Sequence, residues 1–246
     1  MSNTIKIIEC PRDAMQGIKT FIPTEKKVKY IQSLLNCGFD TIDFGSFVSP
    51  RAIPQMVDTA DVLSQLDLTK TTSKLLAIVA NVEEILRIAG DSGKEVVTYI
   101  SMGFGNPYGD PWSVEVVGEW TSKLAAMGVK ILSLSDTVGT STPEVIDYLF
   151  SNLIPQFPDI EFGAHLHTTP SKWHEKVDAA YQAGCRRFDG AVQGFGGCPM
   201  AKDELTGNMP TEKMLSYFTS VKADTNVNWM AFEAAFNKAS DLFSSY

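Results

Sequence analysis

The sequence predicts an α/β fold built on parallel strands, of the TIM (β/α)8 barrel class. Short β-branched runs alternate with amphipathic stretches along the chain, which is typical of repeated βα units. Polar and glycine-rich segments follow the strands, at the end of a parallel barrel where functional sites form. A doubly wound sheet is the alternative, but no Gly-x-Gly-x-x-Gly turn follows the first strand and no P-loop is present.

Seven strands are predicted from short runs rich in β-branched and other apolar residues. They are Ile5–Glu9, Thr41–Phe44, Lys74–Val79, Glu95–Ser101, Ile131–Ser135, Ile160–His165 and Arg187–Val192. A closed barrel of this class has eight strands, so the sequence is one strand short.

Helices are predicted where apolar residues recur three and four positions apart. They are Thr24–Cys37, Met56–Leu66, Val82–Ala89, Ser113–Met127, a helix opened by Thr142-Pro143, Lys172–Ala183, Thr211–Ser220 and Asn228–Ser244. In the first helix, for example, Val28, Ile31 and Leu34 share one face. Pro143 stands at the first helical position, where proline is favoured.

The composition, with 44% hydrophobic and 20% charged residues, fits a globular protein with a sizeable core. Length alone allows one large domain or two small ones, but a barrel of about 250 residues usually forms a single domain, which we expect over residues 1–246. A net charge of -8 argues against nucleic acid as a partner, and the absence of a basic run argues against a membrane partner. Residues 1–9 lack the apolar stretch of a signal peptide. We therefore expect a cytoplasmic protein with reduced, scattered cysteines at positions 10, 37, 185 and 198.

The histidines of His165-Leu166-His167 are the first candidates for metal ligands. Residues two apart on a strand point to the same face, so one segment can direct both imidazoles at one ion. The chain has only three histidines. Taken alone, the pair could equally be two unrelated polar residues at a strand end.

Charged residues lie in or after three other predicted strands. Asp13 offers a hard oxygen ligand, and its neighbour Arg12 can polarise an oxygen or hold a carboxylate. For this pair alone, a surface ion pair is the favoured alternative. Asp43 lies in the second strand, and Asp136 follows a later one, where an acidic residue is either a site group or the cap of a turn.

The segment from Gly194 to Ala201 carries three glycines just before Cys198, so it can bend around a ligand or move as a lid. The other three cysteines are expected to fill core space. Asn208 follows, and its amide oxygen can bind a hard cation.

Six motifs carry a family resemblance. In order they are Pro11-Arg12-Asp13 with Gln16, Ser46-Phe47-Val48-Ser49-Pro50, Asp136-Thr137-Val138-Gly139, His165-x-His167, Gly196-Gly197-Cys198-Pro199 and Gly207-Asn208. Together they resemble the 3-hydroxy-3-methylglutaryl-CoA lyase family, in the metal-dependent lyase and acyltransferase TIM-barrel superfamily. The second and fifth motifs favour this branch over the related citramalate, isopropylmalate and homocitrate synthases. The resemblance runs from about Ile5 to the C-terminal helix.

The resemblance implies cleavage of an acyl-CoA thioester, 3-hydroxy-3-methylglutaryl-CoA or a close analogue, to acetyl-CoA and acetoacetate. It implies that one divalent cation, Mg²⁺ or Mn²⁺, is bound by Asp13, His165, His167 and Asn208. The implied catalytic residues are Arg12 for the enolate oxygen, Cys198 for proton transfer, and Asp43 and Asp136 in or beside the surroundings of the cation. A homodimer is the assembly we expect.

The chain departs from the family at four points. Thr168 replaces a common aspartate, Asp43 replaces a glutamate, and one extra residue lies between Cys198 and Asn208. A βα unit of about 30 residues is absent between Asn81 and Val82. We favour a segment missing from this sequence over a real deletion, because an open barrel would expose strand edges. A synthase or aldolase of the same superfamily and a non-catalytic homologue remain the alternatives.

Overall fold

The computed structural model describes residues 4–78, 85–86, 89, 91–106, 109–196 and 206–244. Its strands are β1 Lys6–Glu9, β2 Thr41–Ser46, β3 Lys74–Ile78, β4 Val97–Ile100, β5 Ile131–Asp136, β6 Glu161–Thr168, β7 Arg187–Gly190 and β8 Gly207–Asn208. Its helices are α1 Pro11–Gln16, α2 Thr24–Leu35, α3 Thr59–Gln65, α4 Val114–Ala126, α5 Pro143–Gln156, α6 Trp173–Gln182, α7 Thr211–Ser220 and α8 Trp229–Phe243. Two 3-10 turns, Pro54–Met56 and Val192–Gly194, complete the described elements.

The chain divides into two compact units. The first comprises Met1–Val79, Gly190–Gly197 and Pro210–Tyr246, and the second comprises Ala80–Asp189 and Cys198–Met209. The prediction of one domain over residues 1–246 stays a prediction.

The first unit contains a parallel sheet in which β2 lies between β1 and β3. Thr41 of β2 is opposite Ile8 on one side and Lys74 on the other. Every residue of β2 is buried, as expected for a parallel strand covered on both faces. Asp43 therefore lies inside the unit.

Aromatic rings join helix α8 to the rest of the first unit. The ring of Phe243 meets that of Tyr30, on α2, edge-on at a centroid distance of 5.8 Å. Phe232 meets Phe39 in the same way at 6.0 Å. Both contacts have the edge-to-face geometry that aromatic pairs prefer.

The second unit contains the parallel strands β4, β5, β6 and β7, in that order. Ile131 is opposite Val97 on one side and Glu161 on the other. The short strand β8 runs antiparallel to β6 and places Asn208 opposite His167. The carboxyl end of β6 therefore has β5 on one side and β8 near its last residues.

The seven predicted strands are all present, with differences at their ends. The predicted sixth strand continues to Thr168, so it includes His167 as well as His165. The two-residue strand β8 was not predicted, because its length is too short to leave a periodic pattern. The Asn81–Val82 junction and most of the predicted Val82–Ala89 helix lie outside the described residues.

The segment after β1 is helical, although no helix was predicted between the first strand and Thr24. Pro11 occupies the first turn of α1, where its missing N–H leaves no hydrogen bond unmade. Five of the six helical residues are buried, so tertiary contacts rather than helical periodicity stabilise this turn. Among the described residues, no helix is both long enough and apolar enough to cross a membrane.

Candidate active site

Arg12 and Asp43 form a buried ion pair in the first unit. The Nε atom of Arg12 donates to Asp43 Oδ2 at 3.0 Å, and its Nη2 atom donates to the same oxygen at 2.5 Å. Arg12 is 7% exposed and Asp43 is 1% exposed. The interpretation of Arg12 as part of a surface ion pair is therefore wrong.

The other end of the guanidinium contacts helix α1 itself. Arg12 Nη1 donates to Asp13 Oδ1 at 2.8 Å and to Gln16 Oε1 at 3.0 Å, while Gln16 Nε2 donates to the same Asp13 oxygen. Among contacts with the described residues, four of the five guanidinium N–H groups are thus engaged, and the fifth is on Nη2. The guanidinium is held in one orientation.

The charge of Arg12 is fixed as well as its position. Burial alone would lower the pKa of Arg12, but the adjacent carboxylates of Asp43 and Asp13 outweigh it and raise that pKa above its usual value. Arg12 therefore presents a permanent cation beside two carboxylates that sequence reasoning had singled out.

Glu9, at the end of β1, is a buried acid that sequence reasoning missed. It accepts hydrogen bonds from the Val192 backbone N–H at 2.8 Å and from the Thr211 hydroxyl at 2.5 Å. Burial raises its pKa to about 8, although these two hydrogen bonds oppose the shift. Its place at a strand end is the same signal that drew attention to Asp136.

His165 and His167 lie together in the second unit, on β6. Their ring centroids are 5.3 Å apart, and one ring nitrogen of each lies within 4.8 Å of the other. Asp189, at the end of β7, has its Oδ2 atom 3.1 Å from His165 Nδ1, and the Tyr99 hydroxyl donates to that same oxygen at 2.8 Å. The sequence analysis missed Tyr99 and Asp189, although Asp189 is the last residue but one of β7.

The neighbours of the two rings fix their tautomers. His167 Nδ1 lies 3.0 Å from the backbone carbonyl of Thr137, which can only accept, so Nδ1 carries the proton. An ionised Asp189 imposes the same tautomer on His165. In both neutral rings the lone pair is then on Nε2, which is how metal-binding histidines are commonly oriented.

Asn208 shares the face of β6 that carries these rings. It lies directly opposite His167 in an antiparallel pair, and such residues project to the same side of a sheet. His165 is on that side too, since it is two residues from His167. Two imidazole nitrogens and an amide oxygen are donors that a divalent cation can use, so the second unit fits the expected group.

Asp136 has two structural partners. Its Oδ1 atom accepts from the Ser141 backbone N–H at 3.1 Å, and its Oδ2 atom accepts from the Ser141 hydroxyl at 2.5 Å and from Lys176 Nζ at 2.8 Å. Asp136 therefore caps the turn after β5 and belongs to a buried ion pair. Lys176 was missed because nothing in its helix marks it as different from a solvated lysine.

The remaining candidates have uneven outcomes. Thr168 is buried, and its hydroxyl donates to the Thr169 carbonyl at 3.0 Å. This position, where the family commonly has an aspartate, therefore carries no charge in this chain.

Cys10, Cys37 and Cys185 are buried, as predicted, and burial raises the pKa of both Cys37 and Cys185 to about 12. Cys198 lies outside the described residues.

A sequence model of a protein family matches most of the chain. The model described as HMGL-like matches residues 51–238. The chain belongs to the HMGL-like family. The prediction of the family from the six motifs is confirmed.

Curated relatives extend the match over most of the chain. The mitochondrial hydroxymethylglutaryl-CoA lyase of Bos taurus is 31% identical over 264 residues, covering 91% of this chain and 81% of that protein. The cytoplasmic 3-hydroxy-3-methylglutaryl-CoA lyase of Rattus norvegicus is 28% identical over 264 residues, covering 91% of this chain and 77% of that protein.

Solved structures match equally well. The HMG-CoA lyase of Bacillus subtilis superposes with a TM-score of 0.91 at 25% identity, over 98% of this chain and 95% of that one. The Acinetobacter baumannii HMG-CoA lyase, in complex with coenzyme A and 3-methylmalate, gives a TM-score of 0.85 at 25% identity, over 99% and 92%. The predicted α/β TIM-barrel class is confirmed, and this HMGL-like chain is a lyase-type enzyme.

Proposed function

We propose that this enzyme cleaves the C2–C3 bond of 3-hydroxy-3-methylglutaryl-CoA, or of a close analogue, to give acetyl-CoA and acetoacetate. One observation carries the proposal: on the face of β6 that Asn208 shares, Nδ1 of His165 lies beside Asp189 and Nδ1 of His167 lies beside the Thr137 carbonyl. A coenzyme A complex of a similar lyase supports an acyl-CoA thioester as the substrate class.

Asp13, His165, His167 and Asn208 are the proposed ligands of one divalent cation. Magnesium and manganese are the candidates, because the set combines two neutral imidazoles with carboxylate and amide oxygens. When bound, such a cation supplies Lewis acidity toward oxygen atoms of the substrate. Asp189 and the Thr137 carbonyl hold the two imidazoles in the state that a cation requires.

Arg12 is the proposed partner of the negative charge that develops during cleavage. Loss of the tertiary hydroxyl proton lets the C2–C3 bond break, and its electron pair moves into the thioester to form an enolate. Because Asp43, Asp13 and Gln16 hold the guanidinium, its charge is oriented before the enolate forms. The remaining Nη2 N–H is the one we assign to the enolate oxygen.

Proton transfer completes the proposed reaction. The enolate carbon must gain a proton to leave as acetyl-CoA, and Cys198 is the proposed donor. Asp43 acts through Arg12, and Asp136 acts through the turn after β5, so both are proposed to position other groups. A cytoplasmic location and a homodimeric assembly remain our proposals.

The decisive experiment is a metal-replete assay with 3-hydroxy-3-methylglutaryl-CoA. We expect stoichiometric acetoacetate and acetyl-CoA in the presence of Mn²⁺, and loss of the activity after treatment with EDTA and removal of the chelator. Activity should return when Mn²⁺ is added. Retention of full activity in the metal-free protein would contradict the proposed metal dependence.

The same protein should be incubated with acetyl-CoA and 2-oxo acids, because a synthase of the superfamily is the main alternative. Accumulation of a condensation product, with no acetoacetate from the thioester, would favour that alternative. A Cys198→Ala variant that turns over like the wild type would remove the thiol from the proposed mechanism.

A further inference from the structure

Lys176 is a buried cation in the second unit that the proposed mechanism does not use. It is 2% exposed, although lysine is almost never fully buried without partners. Its Nζ atom donates to Asp136 Oδ2 at 2.8 Å, to the His167 carbonyl at 2.8 Å and to the Gly139 carbonyl at 3.2 Å. An ammonium has three N–H groups, so these contacts account for all of them.

The three acceptors belong to two adjacent strand ends. Asp136 ends β5, Gly139 lies in the turn that follows, and His167 is near the end of β6. The carbonyl of Thr137, which accepts from the His167 ring, lies between the first two of these residues. Lys176 thus binds the backbone of His167 and also the turn that holds its imidazole.

We propose that Lys176 is a positioning residue that fixes the ring of His167 through the turn after β5. The inference rests on the proposed function, in which His167 is a ligand. The side chain of the neighbouring Thr168 is uncharged, and its hydroxyl donates to the Thr169 carbonyl at 3.0 Å. The Lys176–Asp136 pair therefore supplies the charge-assisted contacts next to His167.

A purely structural ion pair is the competing explanation. Removing such a pair would lower the stability of the protein, but the tautomer of His167 and the affinity for a cation would not change. A positioning role requires both of these to change, because the Thr137 carbonyl would no longer be held in place. Two measurements other than activity therefore separate the explanations.

The first measurement is the dissociation constant of Mn²⁺ by isothermal titration calorimetry. We expect Lys176→Met to weaken binding by about 10- to 100-fold, the usual effect of losing a group that orients a metal ligand. Lys172→Met is the matched control, since Lys172 is exposed at the start of the same helix. Lys172→Met should bind Mn²⁺ like the wild type, and a change of less than about twofold in Lys176→Met would overturn the inference.

A double variant provides a second test in case the single variant folds poorly. Lys176→Met leaves the Asp136 carboxylate buried beside an apolar chain, whereas Asp136→Asn with Lys176→Met removes both charges together. We expect the double variant also to bind Mn²⁺ more weakly than the wild type, at an unchanged circular dichroism spectrum. Wild-type affinity in a folded double variant would contradict the proposal.

The second measurement needs no metal. Long-range ¹⁵N–¹H spectra of neutral imidazoles report which nitrogen carries the proton. In the wild type the His167 signal should be that of the Nδ1–H tautomer, and in the Lys176 variants it should shift toward a mixture, while Lys172→Met should match the wild type. An unchanged His167 signal in the Lys176 variants would contradict the inference.

One further spectrum uses only wild-type protein, so it applies whether or not the variants fold. Addition of Mg²⁺ should move the ¹⁵Nζ resonance of Lys176 and leave that of Lys172 in place. If the wild type binds neither Mn²⁺ nor Mg²⁺, the proposed function fails, and the tautomer measurement still decides the role of Lys176. If metal binds and the Lys176 resonance stays fixed, only the present inference fails.

Discussion

The Arg12 guanidinium contacts two buried carboxylates, and this determines both its charge and its direction. Asp43 binds one edge of it and Asp13 the other, with Gln16 against the same nitrogen as Asp13. A lysine could keep the charge but not the two-edged contact, because an ammonium has no planar fork. We therefore expect substitutions of Arg12 to lower the turnover of the enzyme.

An Arg12→Gln variant should retain KM within a few-fold and lose about 10²- to 10³-fold in kcat, the usual effect of removing a donor that stabilises a developing oxyanion. Arg12→Lys should also lose turnover, and it keeps a positive charge beside the two carboxylates in case the glutamine variant folds poorly. Steady-state kinetics with the thioester substrate measure both. Lys29→Gln, an exposed change in the same unit, is the control. Wild-type kcat in a folded Arg12→Lys protein would remove the guanidinium geometry from the mechanism.

Glu9 predicts an unusual pH dependence of stability. Its pKa is about 8 in the folded protein because of burial, whereas in the unfolded chain it is near the ordinary 4.5. Between these two values the unfolded chain has lost the proton that the folded protein still holds. The Glu9 contribution to the free energy of unfolding therefore falls as the pH rises from about 4.5 to 8, and it is constant above that.

A Glu9→Gln variant should lose this contribution to the pH dependence. Its amide can still accept from the Val192 N–H, so at pH 8 we expect it to be more stable than the wild type by about 1–3 kcal/mol. Urea unfolding at several pH values measures the difference, with the exposed Glu119→Gln as control. Parallel curves for the Glu9 variant and the wild type would show that the buried acid does not titrate as proposed.

At the scale of elements, β6 and β8 make the candidate site of the second unit. The alternation of side chains along β6 places both imidazoles on one face, and the antiparallel partner β8 brings Asn208 opposite His167. Only two residues form β8, yet their pairing determines where the amide lies. A strand this short is a consequence of the fold rather than of its own β propensity.

The first turn of helix α8 is capped by a side chain, and the contribution of this cap to stability can be measured. The side chain of Asn228 accepts from the Ala231 backbone N–H at 3.1 Å and so caps the helix. Asn228→Ala should lower the free energy of unfolding by about 1 kcal/mol, while Asn228→Ser should keep most of the cap. Urea unfolding at pH 7 compares the two. An alanine variant as stable as the wild type would show that the cap contributes nothing.

At the scale of the whole molecule, cation binding and folding are linked. A cation that binds only the folded protein stabilises it by about 2.7 kcal/mol at a hundredfold excess over its dissociation constant. We therefore expect Mn²⁺ to raise the unfolding midpoint and EDTA to reverse the rise. His165→Ala should abolish the effect, and alanine at His174, the remaining histidine, which is exposed on α6, should preserve it. An equal rise in the His165 variant would contradict its assignment as a ligand.

The sequence by itself determined the alternating strands and helices and the family, and it singled out the histidines and the asparagine that we propose as ligands. Hydrophobic periodicity, helix-start residues and short motifs are local properties, so one chain displays them without any contact information. The helix start at Pro143 and the histidine pair on β6 are examples. The full length of β6 and the helical turn α1 could not be predicted from such local patterns.

Only the tertiary structure decided that Arg12 is buried, that Asp189 orients His165 and that Lys176 binds beside His167. These contacts join residues far apart in the chain: 31 positions for Arg12 and Asp43, 24 for His165 and Asp189, and 40 for Lys176 and Asp136. No periodic pattern spans such separations. A buried charge is recognised only when its partner, brought close by folding, compensates the loss of water around it.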